Sequence, residues 1–169
     1  SGSYTLQRTV LLPQSVQPQN IAVASPAGSA GAATSNDTVY ITDPLANRVF
    51  FFQGQAANEA RAVDILGSPY DVAVGKNPTT GNPDSVYVTL ENQDGVKVFD
   101  SNMGERTSAR TIGRQPQFIE VSSLGTEVYV SLSGSNNVAL FGRQGQELIT
   151  PEVFNLQQLN PALDRKSVV

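Results

Sequence analysis

The sequence predicts an all-β protein built from three repeats of a four-stranded antiparallel unit. Three observations carry that expectation. Val39-Tyr40-Ile41-Thr42 recurs as Val86-Tyr87-Val88-Thr89 and Val128-Tyr129-Val130-Ser131, with tyrosines 47 and 42 residues apart. Nine residues after each tyrosine stands a valine (Val49, Val96, Val138), and three further a phenylalanine (Phe52, Phe99, Phe141). Upstream, Pro18, Pro69 and Pro116 each lead into a short apolar run: Ile21-Ala22-Val23, Val72-Ala73-Val74 and Ile119-Glu120-Val121. A repeat of this length is a propeller blade or a solenoid unit.

Each unit divides into four strands. The first follows the proline, over 20–24, 71–75 and 118–122. The second carries the tyrosine, over 38–42, 85–90 and 127–132. The third carries the valine and phenylalanine, over 47–53, 95–100 and 137–142. The fourth precedes the next proline, over 61–66 and 107–112. These runs are rich in Val, Ile, Tyr, Phe and Thr and are bounded by Gly, Pro, Asn and Asp. Alternation supports the assignment, since Val96 and Val98 share a face that Lys97 does not. Between second and third strands lie Leu45-Ala46-Asn47, Asn92 to Gly95 and Gly134 to Asn137, residues that tolerate the positive φ of tight hairpins. Asp94-Gly95 is the clearest of these signals.

The resulting organisation is an N-terminal segment (1–15) whose strand at 5–12 completes a neighbouring blade, then blades at 16–66, 67–112 and 113–156, then an extension (157–169). Residues 147–154 complete the third unit, and a short helix is expected over 155–159. The loop between first and second strands varies most in length, which places the insertions on one face of the array.

Composition excludes several functions. The 169 residues carry a net charge of −4 with scattered basic residues, which disfavours nucleic acid. Apolar runs are of strand length, far short of the roughly 20 residues of a membrane helix, so no membrane insertion is expected. There is no cysteine and no histidine. Disulfides, thiolate metal sites, imidazole ligands and a Ser-His-Asp triad are therefore absent from the chain. The neutral polar composition favours an extracellular or cell-surface protein.

Residues 85–100 and 127–142 resemble the YVTN-type β-propeller repeat, and the Pro-x-x-apolar strands resemble the NHL repeat. The resemblance covers residues 16–142. Where that tetrapeptide closes on asparagine, this chain has Asp43, Leu90 and Leu132. The resemblance implies a β-propeller and relatives among surface-layer proteins, lactonase-like enzymes, streptogramin lyase-like enzymes and protein-interaction scaffolds. The lyase-like relatives use a catalytic histidine, so that chemistry does not transfer. Metal-dependent lactonase-like relatives gather Glu, Asp and Asn around a calcium ion in the central channel, and calcium takes six to eight oxygens. Here the channel-facing residues are Asn20, Asp71 and Phe118, with Asp71 the one carboxylate, for which capping of a turn after Pro69 is the structural alternative.

Propellers carry about four to eight blades. Three blades are too few for such a ring, so the chain is expected to be a fragment of a larger propeller, to pair with a second copy into a six-bladed ring, or to stack in an open array. A protein partner is expected, another copy or other chains of an assembly. The expected role is a non-enzymatic structural or protein-interaction module with no cofactor. The alternative is a lactonase-like hydrolase whose metal or carboxylate site forms at the centre of an oligomeric ring. Phe50 breaks the alternation and is either core or a subunit contact. Arg110 and Arg114 are interface candidates for an acidic partner. Tyr40, Tyr87 and Tyr129 are expected to pack blades. Asn36-Asp37-Thr38 is a glycosylation sequon in a loop.

Overall fold

The computed structural model describes residues 9–13, 15–28, 36–54, 59–144, 147–148 and 152–155. Strands β1 (Ile21–Ala24), β2 (Thr38–Asp43), β3 (Arg48–Gln53) and β4 (Arg61–Asp64) form the first antiparallel sheet, in chain order. The second is β5 (Pro69–Lys76), β6 (Pro83–Leu90), β7 (Gly95–Phe99) and β8 (Glu105–Thr111). The third is β9 (Pro116–Val121), β10 (Glu127–Leu132) and β11 (Asn137–Gln144), with β12 (Glu147–Leu148) and β13 (Glu152–Asn155) both pairing with β11. There is no α-helix among the described residues, and no helix is long and apolar enough to cross a membrane.

Pro69 and Pro116 begin their strands where the sequence reading placed them just ahead. Proline is tolerated at that position because a first strand residue need not donate to the ladder. Asn155 ends a strand, and the rest of the expected helix lies outside the described residues. The outer position of the third sheet is filled by β13 of the same chain. In the early segment Leu11 makes an isolated parallel bridge with Glu59, just ahead of β4; residues 5–8 lie outside the described residues.

The hairpins between second and third strands turn as their residues require. Asn47, Asp94 and Asn136 occupy equivalent positions with φ of 54°, 51° and 53°. Asn and Asp enter this left-handed region at least cost. The side chains of Asn47 and Asp94 also hold the chain entering the next blade. Asn47 Oδ1 accepts from the Ser68 amide at 2.9 Å, and Asp94 Oδ1 from the Gln115 amide at 2.9 Å. Gly95 follows Asp94 because a Cβ there would stand 2.7 Å from the Arg110 carbonyl oxygen.

Cross-strand register sorts each sheet into two faces. The forward face of the first sheet (Ala24, Tyr40, Val49, Phe51) packs on the rear face of the second (Val72, Val86, Val88, Phe99), with Ile65 and Met103 closing the cluster. The forward face of the second (Ala73, Tyr87, Val96, Val98) packs on the rear face of the third (Ile119, Val128, Val130, Ala139, Phe141). One interface chemistry is thus used twice. In both, the incoming first strand lies on the first two strands of the blade before it: β5 on β1 and β2, and β9 on β5 and β6.

The repeated tyrosines are not equivalent in their hydroxyls. Tyr40 donates to the Ser101 carbonyl of the next blade at 2.6 Å, and burial pushes its pKa up to about 12. Tyr87 is as deeply buried but its hydroxyl finds no partner among the described residues. Tyr40→Phe is therefore expected to cost about 1 kcal/mol in urea unfolding, because it removes the partner of a part-buried carbonyl. Tyr87→Phe is expected to be neutral or stabilising. Equal losses for the two variants would contradict this assignment.

Candidate functional site

The inner ends of the three sheets are where the repeat brings chemistry-bearing side chains together. The tripeptides Pro-Gln19-Asn20, Pro-Tyr70-Asp71 and Pro-Gln117-Phe118 enter the first strands there, beside the last residue of each Tyr-x-Thr/Ser motif. Each motif hydroxyl accepts a hydrogen bond from its own blade: Thr42 Oγ1 from the Asn20 amide at 3.1 Å, Thr89 Oγ1 from the Asp71 amide at 2.9 Å, Ser131 Oγ from the Phe118 amide at 3.0 Å. The two threonines then donate to the following blade, Thr42 to the Tyr70 carbonyl at 2.9 Å and Thr89 to the Gln117 carbonyl at 2.8 Å. Both threonines are wholly buried.

Asn20 and Asp71, the weak metal candidates of the sequence, reinforce the same seams. Asn20 Nδ2 donates to the Tyr70 carbonyl at 3.1 Å. Asp71 Oδ1 accepts from the Val72 amide at 2.8 Å, and Oδ2 from the Ile119 amide of the next blade at 2.9 Å. The carboxylate therefore bridges two blades and does more than cap a turn. Burial raises its pKa, against the two amide donors that favour the charged form. Phe118, at the third equivalent position, meets Tyr70 edge-on at 5.6 Å between ring centroids. Among the described residues no three carboxylates gather in a metal-holding group.

The other candidates lie apart from this site. Phe50 is buried beside Ile41 and Ala62 on the rear face of the first sheet, so its ring is enclosed by this chain. The N-terminal segment bridges Glu59, just ahead of β4, through Leu11, and at the start of the first blade the Gln17 amide donates to Asp43 Oδ2 at 3.1 Å. Arg110 is exposed on the outer strand β8, where it lines a concavity of about 480 Å³ with Val96, Val98 and Arg106. Arg114 is exposed between the second and third blades, and its carbonyl accepts from the Gly134 amide at 3.2 Å.

One residue that matters was passed over among the scattered basic positions. Arg143 is almost fully buried between the second and third blades. It pairs with Asp84 at 2.8 Å and donates to the carbonyls of Lys76 at 2.9 Å and Gly125 at 2.6 Å. Its guanidinium also lies 5.8 Å from the centre of the Tyr87 ring. Gly75 leaves room for it, since a Cβ there would stand 3.0 Å from Nη1. The available signal was a charged residue two positions after the motif phenylalanine, in only the third repeat.

Also at the inner strands, the two ends of the array expose what their interior counterparts bury. Ile21 is 65% exposed, whereas Val72 and Ile119, its equivalents, are each 4%. Tyr129 is 40% exposed, whereas Tyr40 and Tyr87 are each 0%. Val23 and Phe118 are also exposed.

Four-stranded antiparallel sheets packed face to face, inner strand on inner strand, define a β-propeller, of which this chain is a three-bladed part. Solved structures agree. The chain is similar to Kuenenia stuttgartiensis hydrazine synthase (22% identity, TM-score 0.62, covering 88% of this chain and 39% of that one). It is similar to a catalytically inactive virginiamycin B lyase from Staphylococcus aureus with quinupristin (14%, 0.62, covering 89% and 45%). It is also similar to a 6-phosphogluconolactonase candidate from Bacteroides fragilis (18%, 0.59, covering 79% and 37%). At these identities the likeness concerns the fold. The chain spans less than half the length of these structures. No protein-family profile matches the sequence, and no curated protein does.

Two substitutions test the seams. Thr89→Val keeps the shape but leaves the Asp71 amide and the Gln117 carbonyl unpaired, for an expected loss of about 2 kcal/mol in denaturant unfolding. Arg143→Met leaves Asp84 as a buried unpaired charge, and a loss of about 3 kcal/mol is expected. The double variant with Asp84→Asn should recover part of that loss in the same measurement.

Proposed function

We propose that this chain is part of a YVTN/NHL-type propeller that serves as a structural or protein-interaction module, outside the cell or at its surface. One observation carries the reading. At the inner ends, where a propeller would gather catalytic or metal-binding groups, Asn20 and Asp71 are committed to holding neighbouring blades together, and the third position is Phe118. Four exposed apolar side chains, Ile21, Val23, Phe118 and Tyr129, lie on the inner strands of the two terminal blades, which is the chemistry of protein contact. A chain without histidine or cysteine fits the same reading. The low charge and neutral polar loops support the extracellular placement.

The test is thermal unfolding with and without millimolar calcium, together with a pH-indicator assay for hydrolysis of simple lactones. The module reading expects no turnover and an unchanged Tm. A calcium-dependent rise in Tm with lactone hydrolysis, both lost in Asp71→Asn, would overturn it in favour of the lactonase-like hydrolase.

A further inference from the structure

The two internal blade interfaces share one plan, and the two open faces of the array are its unmatched halves. In each internal interface a first strand lies on the first and second strands of the blade before it. A buried motif hydroxyl crosses the seam to the carbonyl just after the proline, Tyr70 or Gln117. The third blade offers the receiving half. Phe118 and Tyr129 are exposed on its first and second strands. Ser131 Oγ accepts from the Phe118 amide as its threonine counterparts accept from theirs, but its own proton has no acceptor among the described residues. The first blade offers the entering half. Ile21 and Val23 of β1 are exposed, and Gln19 stands directly after Pro18, where Tyr70 and Gln117 stand after their prolines.

From this geometry we infer that the third blade docks the first blade of a second copy of the chain. The Ser131 hydroxyl of one copy donates to the Gln19 carbonyl of the other, and Ile21 and Val23 cover Phe118 and Tyr129. The inference rests on the reading of the chain as a propeller interaction module and names the partner of that surface. Phe50 and Ile41 on the same rear face are already buried within the chain, so the part of that face left for the contact is β1 with Ile21 and Val23. The internal interfaces place the incoming first strand on its neighbour, and β1 is the strand left open. The contact is head-to-tail, because its two halves come from different blades. Made twice between two copies, it closes a ring of six blades, within the range that propellers adopt.

Two variants, each blocking one half, test this by light scattering after size exclusion and by sedimentation from low micromolar to millimolar protein. Ile21→Asp blocks the entering half and Tyr129→Asp the receiving half. Both sites are exposed, and far-UV circular dichroism with thermal unfolding checks that each variant folds. The wild-type chain is expected at twice its 18.0 kDa mass. Each variant alone is expected as a monomer. An equimolar mixture of the two is expected to regain a 1:1 complex, because Tyr129→Asp keeps a good first blade and Ile21→Asp keeps a good third. Ser131→Ala removes one hydrogen bond from each of the two contacts and is expected to weaken the wild-type association about 25-fold.

A wild-type chain that stays monomeric throughout overturns the inference. So does one variant that still dimerises alone, which would mean like faces pair, or a folded mixture that stays monomeric. None of these outcomes bears on the calcium and lactone assays, so the inference can fail while the module reading stands. Conversely, calcium-dependent hydrolysis by a head-to-tail dimer would remove the module reading and leave the contact in place.

Discussion

One hydroxyl at each internal seam sets how the blades of this structure join. Thr42 and Thr89 each accept an amide hydrogen bond inside their own sheet and donate to a carbonyl in the next. The inner strand of a blade is pressed against its neighbour, so its entering backbone groups are withdrawn from water and cannot be left unpaired. A side chain that both accepts and donates satisfies one group on each side of the seam. Valine at that place would match the shape and fail at both. The apolar packing of Tyr40 and Tyr87 supplies much of the attraction between blades, but it is non-directional, and the hydroxyl sets where one blade sits on the next.

The repeat and its strands were legible in the sequence because hydrophobic alternation and turn residues are local signals. The tyrosine, valine and phenylalanine positions all fall on strands, and the Asp94-Gly95 hairpin turns as its residues require. What the sequence could not display was pairing between blades. Asp71 read as a metal candidate or a turn cap because its partner, the Ile119 amide, lies 48 residues away. Arg143 read as one scattered cation because Asp84 and the carbonyls of Lys76 and Gly125 converge on it only in the folded chain. Phe50 broke the alternation, and the sequence left its two fates open; burial within the chain is a fact of tertiary packing.

The repeats are alike in backbone and unlike in the extra bonds that secure each seam. Between the first and second blades the tyrosine hydroxyl reaches the Ser101 carbonyl, and Asn20 adds a second donor to Tyr70. Between the second and third the tyrosine hydroxyl is unpaired among the described residues. There Arg143 and Asp71 carry the polar contacts. A common apolar interface therefore accepts different polar fastenings, placed wherever a local substitution supplied a donor close to an unfilled carbonyl.

The seam hydroxyl also has a consequence for how such an array could lengthen. Each seam refers only to the blade before and the blade after, with no term that depends on position along the chain. Duplicating or deleting a whole unit would keep the hydroxyl-to-carbonyl link of each remaining seam while exchanging its other polar fastenings. The circumference of a closed ring is then set by the wedge angle of the blades, and so by the sizes of side chains such as Ala22, Ala24 and Ala73 beneath the tyrosines. Small volume changes at those alanines, with the hydrogen bonds untouched, are the route by which one repeat chemistry could build rings of different sizes.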